Sequence, residues 1–599
     1  MGDEITSLDT GLVRGRAIHR RHDLHETLFL GHLDAQPAEF AVAAGNASIT
    51  VVASAINVIN DITINLYYAD PDSGSRVVAS ADLLTSPELL SYAPSGGVSE
   101  GNYLAEVCSY NGAAPLPPTN YFGIFSVSET ALPGTASLLP YPPKWRWNPA
   151  APAYDYSDTD TRILGCWDSA GTEGPIEGCA FEFANLAARV PWDVLPEVSL
   201  LPTFTTIGNA AITAEAWLSP LTPAEMYRPI SLDREYDFPF ENIWYKAKCS
   251  PSVLVPLGND IDASTANLFV AHNRMHDWSY FLGFTEQNYN LQLDNFGLTD
   301  VLSQNDPEIG NVQAGAITGA PASPTFALLP GRDNANQITL QDGVPGITNQ
   351  YLFQPLGGSL YVPCTDGSFD MGIVGHEYTH AISNRMVGGP SEGLSGLQGG
   401  SMGESWGDLA ATEYQAEYGF LPKDGGNPTA LARYVTGNAE AGLRNYPLDD
   451  NPLNYSNIGY DTPGAEVHSD GEIWNAVQWA LRQAFIDEYQ SAYPYEDVQR
   501  QQECADGLIT PAQCPGNRRW IQLIFDAFLL VPAAPSMLDA RDAMLAAGAM
   551  LTEGKVMGPR ELWGGRPARK MRDLDDTAIA GMRMGVAHYA ENARHHAAA

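Results

Sequence analysis

His376, Glu377 and His380 lie within DMGIVGHEYTHAISNRMVGGP (370–390), two imidazoles four residues apart with a carboxylate directly after the first. On a helix, positions i and i+4 differ by about 40° of rotation, so both rings project from one face toward a single ion. Two neutral imidazoles suit Zn2+, and a catalytic zinc takes a third protein ligand while keeping one position open for water. Glu404, 24 residues after His380 in GGSMGESWGDLA, supplies a candidate. Asp408 follows it one helical turn on, where a carboxylate could accept the other ring N–H of a ligand histidine and fix its tautomer. Zinc held this way polarises a carbonyl and lowers the pKa of bound water to about 7. Glu377, adjacent to a ligand, is the candidate to take that water's proton and return it to a leaving group.

Elements able to position these side chains are legible around them. The spacing predicts a helix through HEYTH and a second one, GESWGDLAATEYQAEYG, that Glu404 starts. Further helices are predicted for DGEIWNAVQWALRQAFIDEYQ, RRWIQLIFDAFLL and MLDARDAMLAAGAML, so the C-terminal third is mostly helical. ASTANLFVAHNRMHDWSYFLGF has apolar residues recurring at three and four, with Ser264 or Thr265 as its cap. His272 and His276 on that helix have no glutamate between them and read as structural. From about 25 to 130 the pattern changes to strands: ASITVVASAI, DITINLYYAD, NYLAEVCSY and NYFGIFSVS, separated by turn clusters. That spacing predicts a β-sandwich. The chain is expected to divide into a polar leader segment (1–24), the sandwich (25–138), a Pro- and aromatic-rich linker (139–158), a segment with the HEYTH helix (159–385) and a helical remainder (386–599). The histidines of AIHRRHDLHETLFLGH read as part of a solvated leader rather than a surface metal site.

HEYTHAISNRMVGGP followed by GGSMGESWGD resembles the fungalysin family of secreted zinc metallopeptidases, relatives of thermolysin. The resemblance spans most of about 160 to 550 and takes in TDGSFDMGIVGHEYTH, GLRNYPLDDNPLNYS and AEVHSDGEIWNAV. It implies a thermolysin-like α+β domain with a β-rich upper lobe, a mainly helical lower lobe and the HEYTH helix at the floor of the cleft between them. It also implies His376, His380 and Glu404 as ligands of one zinc, Glu377 as general base and Asp408 as the partner of a ligand histidine. His468 matches the histidine that stabilises the oxyanion, and Arg444 the arginine that grips the substrate carbonyl. Asn334 and Ala335 in GRDNANQ resemble the edge strand that pairs with substrate backbone. The implied activity is hydrolysis of internal peptide bonds on the amino side of bulky apolar residues. The order DITINLYYADPDSGS, GNYLAEVCSYNG and a final aromatic strand resembles the bacterial pre-peptidase C-terminal domain, which is attached to secreted peptidases. Here a sandwich stands where the family normally carries an inhibitory propeptide, and ELWGGRPARKMRDLDDTAIAGMRMG follows the family's closing helices only loosely.

The competing readings are plain ones: a surface or core histidine for His468, an ordinary salt bridge for Arg444, and for the whole chain a non-catalytic binding protein on a metallopeptidase scaffold. Intact Glu377 argues against the last. Nothing resembles the G-x-M-E-N segment with which zinc aminopeptidases hold a free amino terminus.

Composition narrows the partners. The 599 residues exceed one core, implying two to four domains, and 71 Asp+Glu against 32 Lys+Arg give a formal charge of −39. Such a surface repels nucleic acid and anionic lipid, and no apolar run is long enough to span a membrane. It offers oxygen ligands for calcium, with no site assigned. Polypeptide substrates are the expected partners, and self-association through the sandwich is left open. Of seven cysteines, Cys166 with Cys179 and Cys504 with Cys514 are read as short-loop disulfides of a secreted protein; the partners of Cys108, Cys249 and Cys364 stay open. After Met1 the chain is charged at once, so any secretory leader is expected to be already removed or outside this sequence. MGDEIT formally matches a myristoylation pattern, without the second membrane signal that stable anchoring requires.

Overall fold

In the computed structural model, alternating apolar residues close a core between two sheets in the N-terminal region. Among residues 1–141 the structure describes 16–19, 24–32, 38–55, 62–70, 74–81, 88–94, 96–109 and 120–128. It also describes 142–548 apart from 169–175, 185, 197–201, 219–226, 256–257, 318–330, 356–362 and 424, and then 561–564 and 569–573. The chain divides into two compact units: Met1–Pro143 with Asp193–Ile207 and Ala224–Tyr236, and Lys144–Trp192 with Gly208–Pro223 and Asp237–Ala599.

The first unit contains β1 (Arg16–His19), β2 (Leu24–His32), β3 (Ala38–Val42), β4 (Ser48–Ala55), β5 (Ile62–Asp70), β6 (Gly74–Ala81), β7 (Glu88–Tyr92), β8 (Gly101–Ser109) and β9 (Asn120–Ser128). One sheet runs β1-β2-β9-β4-β7 and the other β3-β8-β5-β6. In β5, Ile62, Ile64 and Leu66 are buried while the residues between them are not, and Tyr103, Ala105 and Val107 repeat the pattern in β8. A period of two puts each set on one face. These side chains meet Ile49, Val51, Ala53 and Leu90 of the other sheet in one core. The histidine-rich stretch read as leader holds β1 and β2, paired antiparallel.

In the second unit, β10 (Lys144–Trp147) pairs antiparallel with β11 (Ile163–Asp168), which pairs parallel with β12 (Phe181–Ala184). After β13 (Ala211–Glu215) and the two-residue β14 (Glu235–Tyr236, in the first unit) come β15 (Glu308–Val312), β16 (Ala335–Ile338) and β17 (Ile347–Gln350). The order β13-β15-β17-β16 is parallel except for β16, an antiparallel edge strand. Two-residue strands at Leu352–Phe353 (β18) and Thr365–Asp366 (β19) pair just before the helical region, and Glu561–Gly564 (β20) pairs with Arg569–Asp573 (β21) beyond it.

The helices are α1 (Ile243–Lys246), α2 (Ile261–Tyr280), α3 (Met371–Met386), α4 (Leu397–Glu417), α5 (Arg433–Thr436), α6 (Val467–Tyr489), α7 (Val498–Ala505), α8 (Gly516–Phe528) and α9 (Met537–Ala547). α3 is the HEYTH helix; Asp370 caps it, its side chain accepting from Gly372 N at 2.9 Å. It lies against β16, β17 and α4, and α4 in turn against α6. Buried ion pairs fix the far end of α4: Arg482 of α6 on Glu413 and Arg518 of α8 on Glu417. No helix of the described residues is long and apolar enough to cross a membrane.

Two expectations need correction. α2 begins at Ile261, before the predicted cap: Ser264 Oγ donates to Asp366 and Thr265 Oγ1 to Ile261 O, so neither caps it. Glu404 does not start its helix, because α4 begins two turns earlier at Leu397 and runs through Gly399, Gly400 and Gly403.

Candidate metal centre

His376 and His380 project from α3 and Glu404 from α4, and one donor atom from each lies within 4.8 Å of the others. The two Nε2 atoms stand 3.1 Å apart, with Glu404 carboxylate oxygens 3.3 Å from His376 Nε2 and 3.6 Å from His380 Nε2. Two imidazole nitrogens and a carboxylate facing one point are a donor set suited to Zn2+. Among the described residues this is the only such grouping of three. His272 and His276 stand outside it. His272 is fully buried, and His276 bonds Asp277 and Gln292.

The approach of α4 to α3 depends on Gly407. A Cβ there would sit 2.6 Å from His376 Nδ1, so the helix backbone lies directly against the ring. The next residue, Asp408, one turn after Glu404 on α4, accepts from His376 Nδ1 at 2.8 Å. Arg444 forks onto the same carboxylate through Nε and Nη2, both at 2.8 Å, and Nη2 also reaches Glu404 at 3.2 Å. Asn475 Nδ2 adds a bond to Asp408 at 2.8 Å. Asp408 thus accepts four hydrogen bonds, which compensates for burying its charge.

The titrations follow from these contacts. Burial opposes a charge on His376, but Asp408 and Glu404 outweigh it and push the imidazole up to about 10. Burial and the neighbouring His376 push His380 down to about 4. Glu404 and Asp408 resist burial because His376 and Arg444 hold both well below the usual carboxylate range. Burial raises Glu377 to about 7.

His468, at the start of α6, is 58% exposed, with Nε2 3.5 Å from Glu404 and Nδ1 2.5 Å from Glu466. Glu466 is also the N-cap of α6, accepting from His468 N and Ser469 N. Ala335 opens the edge strand β16, which lies beside α3, and Asn334, exposed, directly precedes it. The residues that the motif reading missed are Gly407, Glu466 and Asn475. A carboxylate two positions before His468 was the signal available for Glu466.

A sequence-profile match to the fungalysin metallopeptidases (M36) covers residues 182–569. The chain belongs to the fungalysin family. It is 33% identical over 411 residues to an extracellular metalloproteinase mep of Aspergillus flavus, covering 67% of this chain and 56% of that one. It is 32% identical over 377 residues to an extracellular metalloproteinase 9 of Coccidioides posadasii, covering 61% and 51%. The chain therefore spans about half the length of these curated relatives.

The two short-loop disulfides expected from sequence form, Cys166–Cys179 and Cys504–Cys514, and a third joins Cys249 to Cys364. Cys108 belongs to none of the three.

Proposed function

We propose that this fungalysin is a secreted zinc endopeptidase acting on polypeptides. The observation that carries the reading is the convergence of His376, His380 and Glu404 beside Glu377. Zinc at these donors supplies Lewis-acid polarisation of the scissile carbonyl and acidifies a water. Glu377, buried and raised to about 7, takes the proton of the attacking water and delivers it to the leaving amine. His468 faces the same carboxylate as the ligand pair; Glu466 accepts from its Nδ1–H and orients the ring, and the doubly protonated imidazolium is the form that also presents an Nε2–H to the developing oxyanion. One such donor is typically worth about 3 kcal/mol. Arg444 holds Asp408 through Nε and Nη2, leaving Nη1 as the nitrogen to meet a substrate carbonyl.

Substrate backbone is proposed to add along β16 at Asn334 and Ala335, whose one described strand partner is β17. Cleavage before bulky apolar residues, a two-lobed catalytic domain of the thermolysin kind and a pre-peptidase-like role for the 25–138 sandwich complete the reading. Secretion is supported by relatives named as extracellular and by the three disulfides.

Glu377→Gln and Glu404→Gln separate chemistry from metal binding. Glu377→Gln is expected to keep one zinc per chain and lose at least 10²–10⁴-fold in peptide turnover, the usual range for general-base catalysis. Glu404→Gln is expected to lower zinc occupancy itself. Zinc analysis and turnover of both variants decide it, and near-normal turnover in Glu377→Gln would sink the mechanism.

A further inference from the structure

Glu472 lies four residues after His468 on α6, is 2% exposed, and stands outside the metal-donor group. Its oxygens serve mainly the loop that carries Arg444. Oε1 accepts from Asn445 N at 3.0 Å, Asn445 Nδ2 at 3.2 Å and Tyr460 Oη at 3.3 Å. Oε2 accepts from Tyr446 N at 3.0 Å. Two successive backbone N–H groups are thereby held immediately after Arg444. Three residues beyond Glu472, Asn475 bridges Asp408 and Ser405. His468, Glu472 and Asn475 recur at four and three, so one face of α6 addresses Glu404, the Arg444 loop and Asp408 in turn.

A buried carboxylate is costly unless its lone pairs are filled, and those of Glu472 are filled chiefly by the 445–446 segment. Helix and loop therefore fix each other. The loop in turn sets the Arg444 fork, the fork holds Asp408, and Asp408 orients the His376 ring.

We propose that Glu472 is a positioning residue for the metal: it clamps residues 444–446 so that Arg444 holds Asp408 against His376. The inference rests on the zinc reading above.

The test is a double-mutant cycle on zinc affinity, measured on the full chain by chelator competition in wild type, Glu472→Gln, Arg444→Met and the double variant. Groups that orient metal ligands from outside typically contribute 10–100-fold to affinity. Glu472→Gln should weaken zinc binding about tenfold in the wild-type background and less than twofold once Arg444 is gone. A residue that merely stabilises α6 would instead weaken binding equally in both backgrounds, and that result overturns the proposal. Asn445→Asp changes an exposed side chain and sets a second carboxylate against Glu472, so it reads the same clamp should Glu472→Gln fail to fold. It should weaken zinc severalfold, and unchanged affinity overturns the proposal. A wild-type chain that does not bind one zinc removes the zinc reading and this inference together. One bound zinc with an additive cycle removes this inference alone.

Discussion

Asp408 and Glu404 favour the protonated form of His376. Its ring stands between Asp408 on Nδ1 and Glu404 near Nε2, while His380 is left neutral. A zinc ligand must be unprotonated, so binding expels the Nε2 proton. Since the two carboxylates hold His376 up to about 10, that proton is present throughout the neutral range. Zinc affinity is therefore expected to rise with pH, by close to tenfold per unit between about pH 7 and 9 from one displaced proton. The metal-free fold has the opposite dependence. A raised histidine pKa contributes stability that is full below the ordinary value of 6.5 and is lost as pH rises through about 10. Chelator competition and metal-free unfolding at pH 6.5, 8 and 9 measure the two trends. A flat zinc affinity over that range would mean that His376 is not the protonated group.

Among the elements, α4 decides the site's geometry, and it is also where the sequence pattern misled. The motif HEYTH and the downstream Glu404 and Asp408 are readable because i, i+4 spacing on a helix is local. The start of α4 was hidden because Gly399, Gly400 and Gly403 are poor helix formers by propensity, and close packing outweighs it. Asp408's further partners could not be read either: Arg444 and Asn475 lie 36 and 67 residues away and meet it only through the fold. Similarly, apolar alternation exposed β4, β5, β8 and β9, whereas the histidines of β1 and β2 masked their pairing with the sheet. Gly407→Ala tests the helix approach. Alanine raises helix propensity by about 1 kcal/mol, yet its Cβ would lie 2.6 Å from His376 Nδ1. Helix content should hold while zinc affinity falls at least tenfold. Wild-type affinity in Gly407→Ala would show that the ring does not rest on the α4 backbone.

For the molecule as a whole, scarce basic residues are spent inside. With 32 Lys+Arg against 71 Asp+Glu, Arg385, Arg444, Arg482 and Arg518 are nonetheless placed on buried carboxylates, leaving the surface strongly acidic. Removing one partner of such a pair typically costs about 3–5 kcal/mol, so these arginines hold the interior together. The disulfides act on a longer scale. Cys166–Cys179 and Cys504–Cys514 span 13 and 10 residues, close enough to read from sequence, whereas Cys249–Cys364 spans 115 and could be paired only by the fold. Cys364 directly precedes β19 and the segment leading to Asp370, the cap of the HEYTH helix. In the chain-entropy account, closing a loop of this length stabilises by about 5 kcal/mol, against about 3 for a loop of ten residues. Replacing Cys249 and Cys364 together with serine should therefore lower the unfolding midpoint more than replacing Cys504 and Cys514. Because the long loop ends at the approach to α3, the first pair of substitutions should also speed zinc loss on heating, and the second should leave it near wild type. Thermal unfolding followed in parallel with zinc release by a chromogenic chelator compares them. The reverse order of midpoints would mean that strain or residual structure in the unfolded chain, rather than loop closure, governs what these bridges contribute.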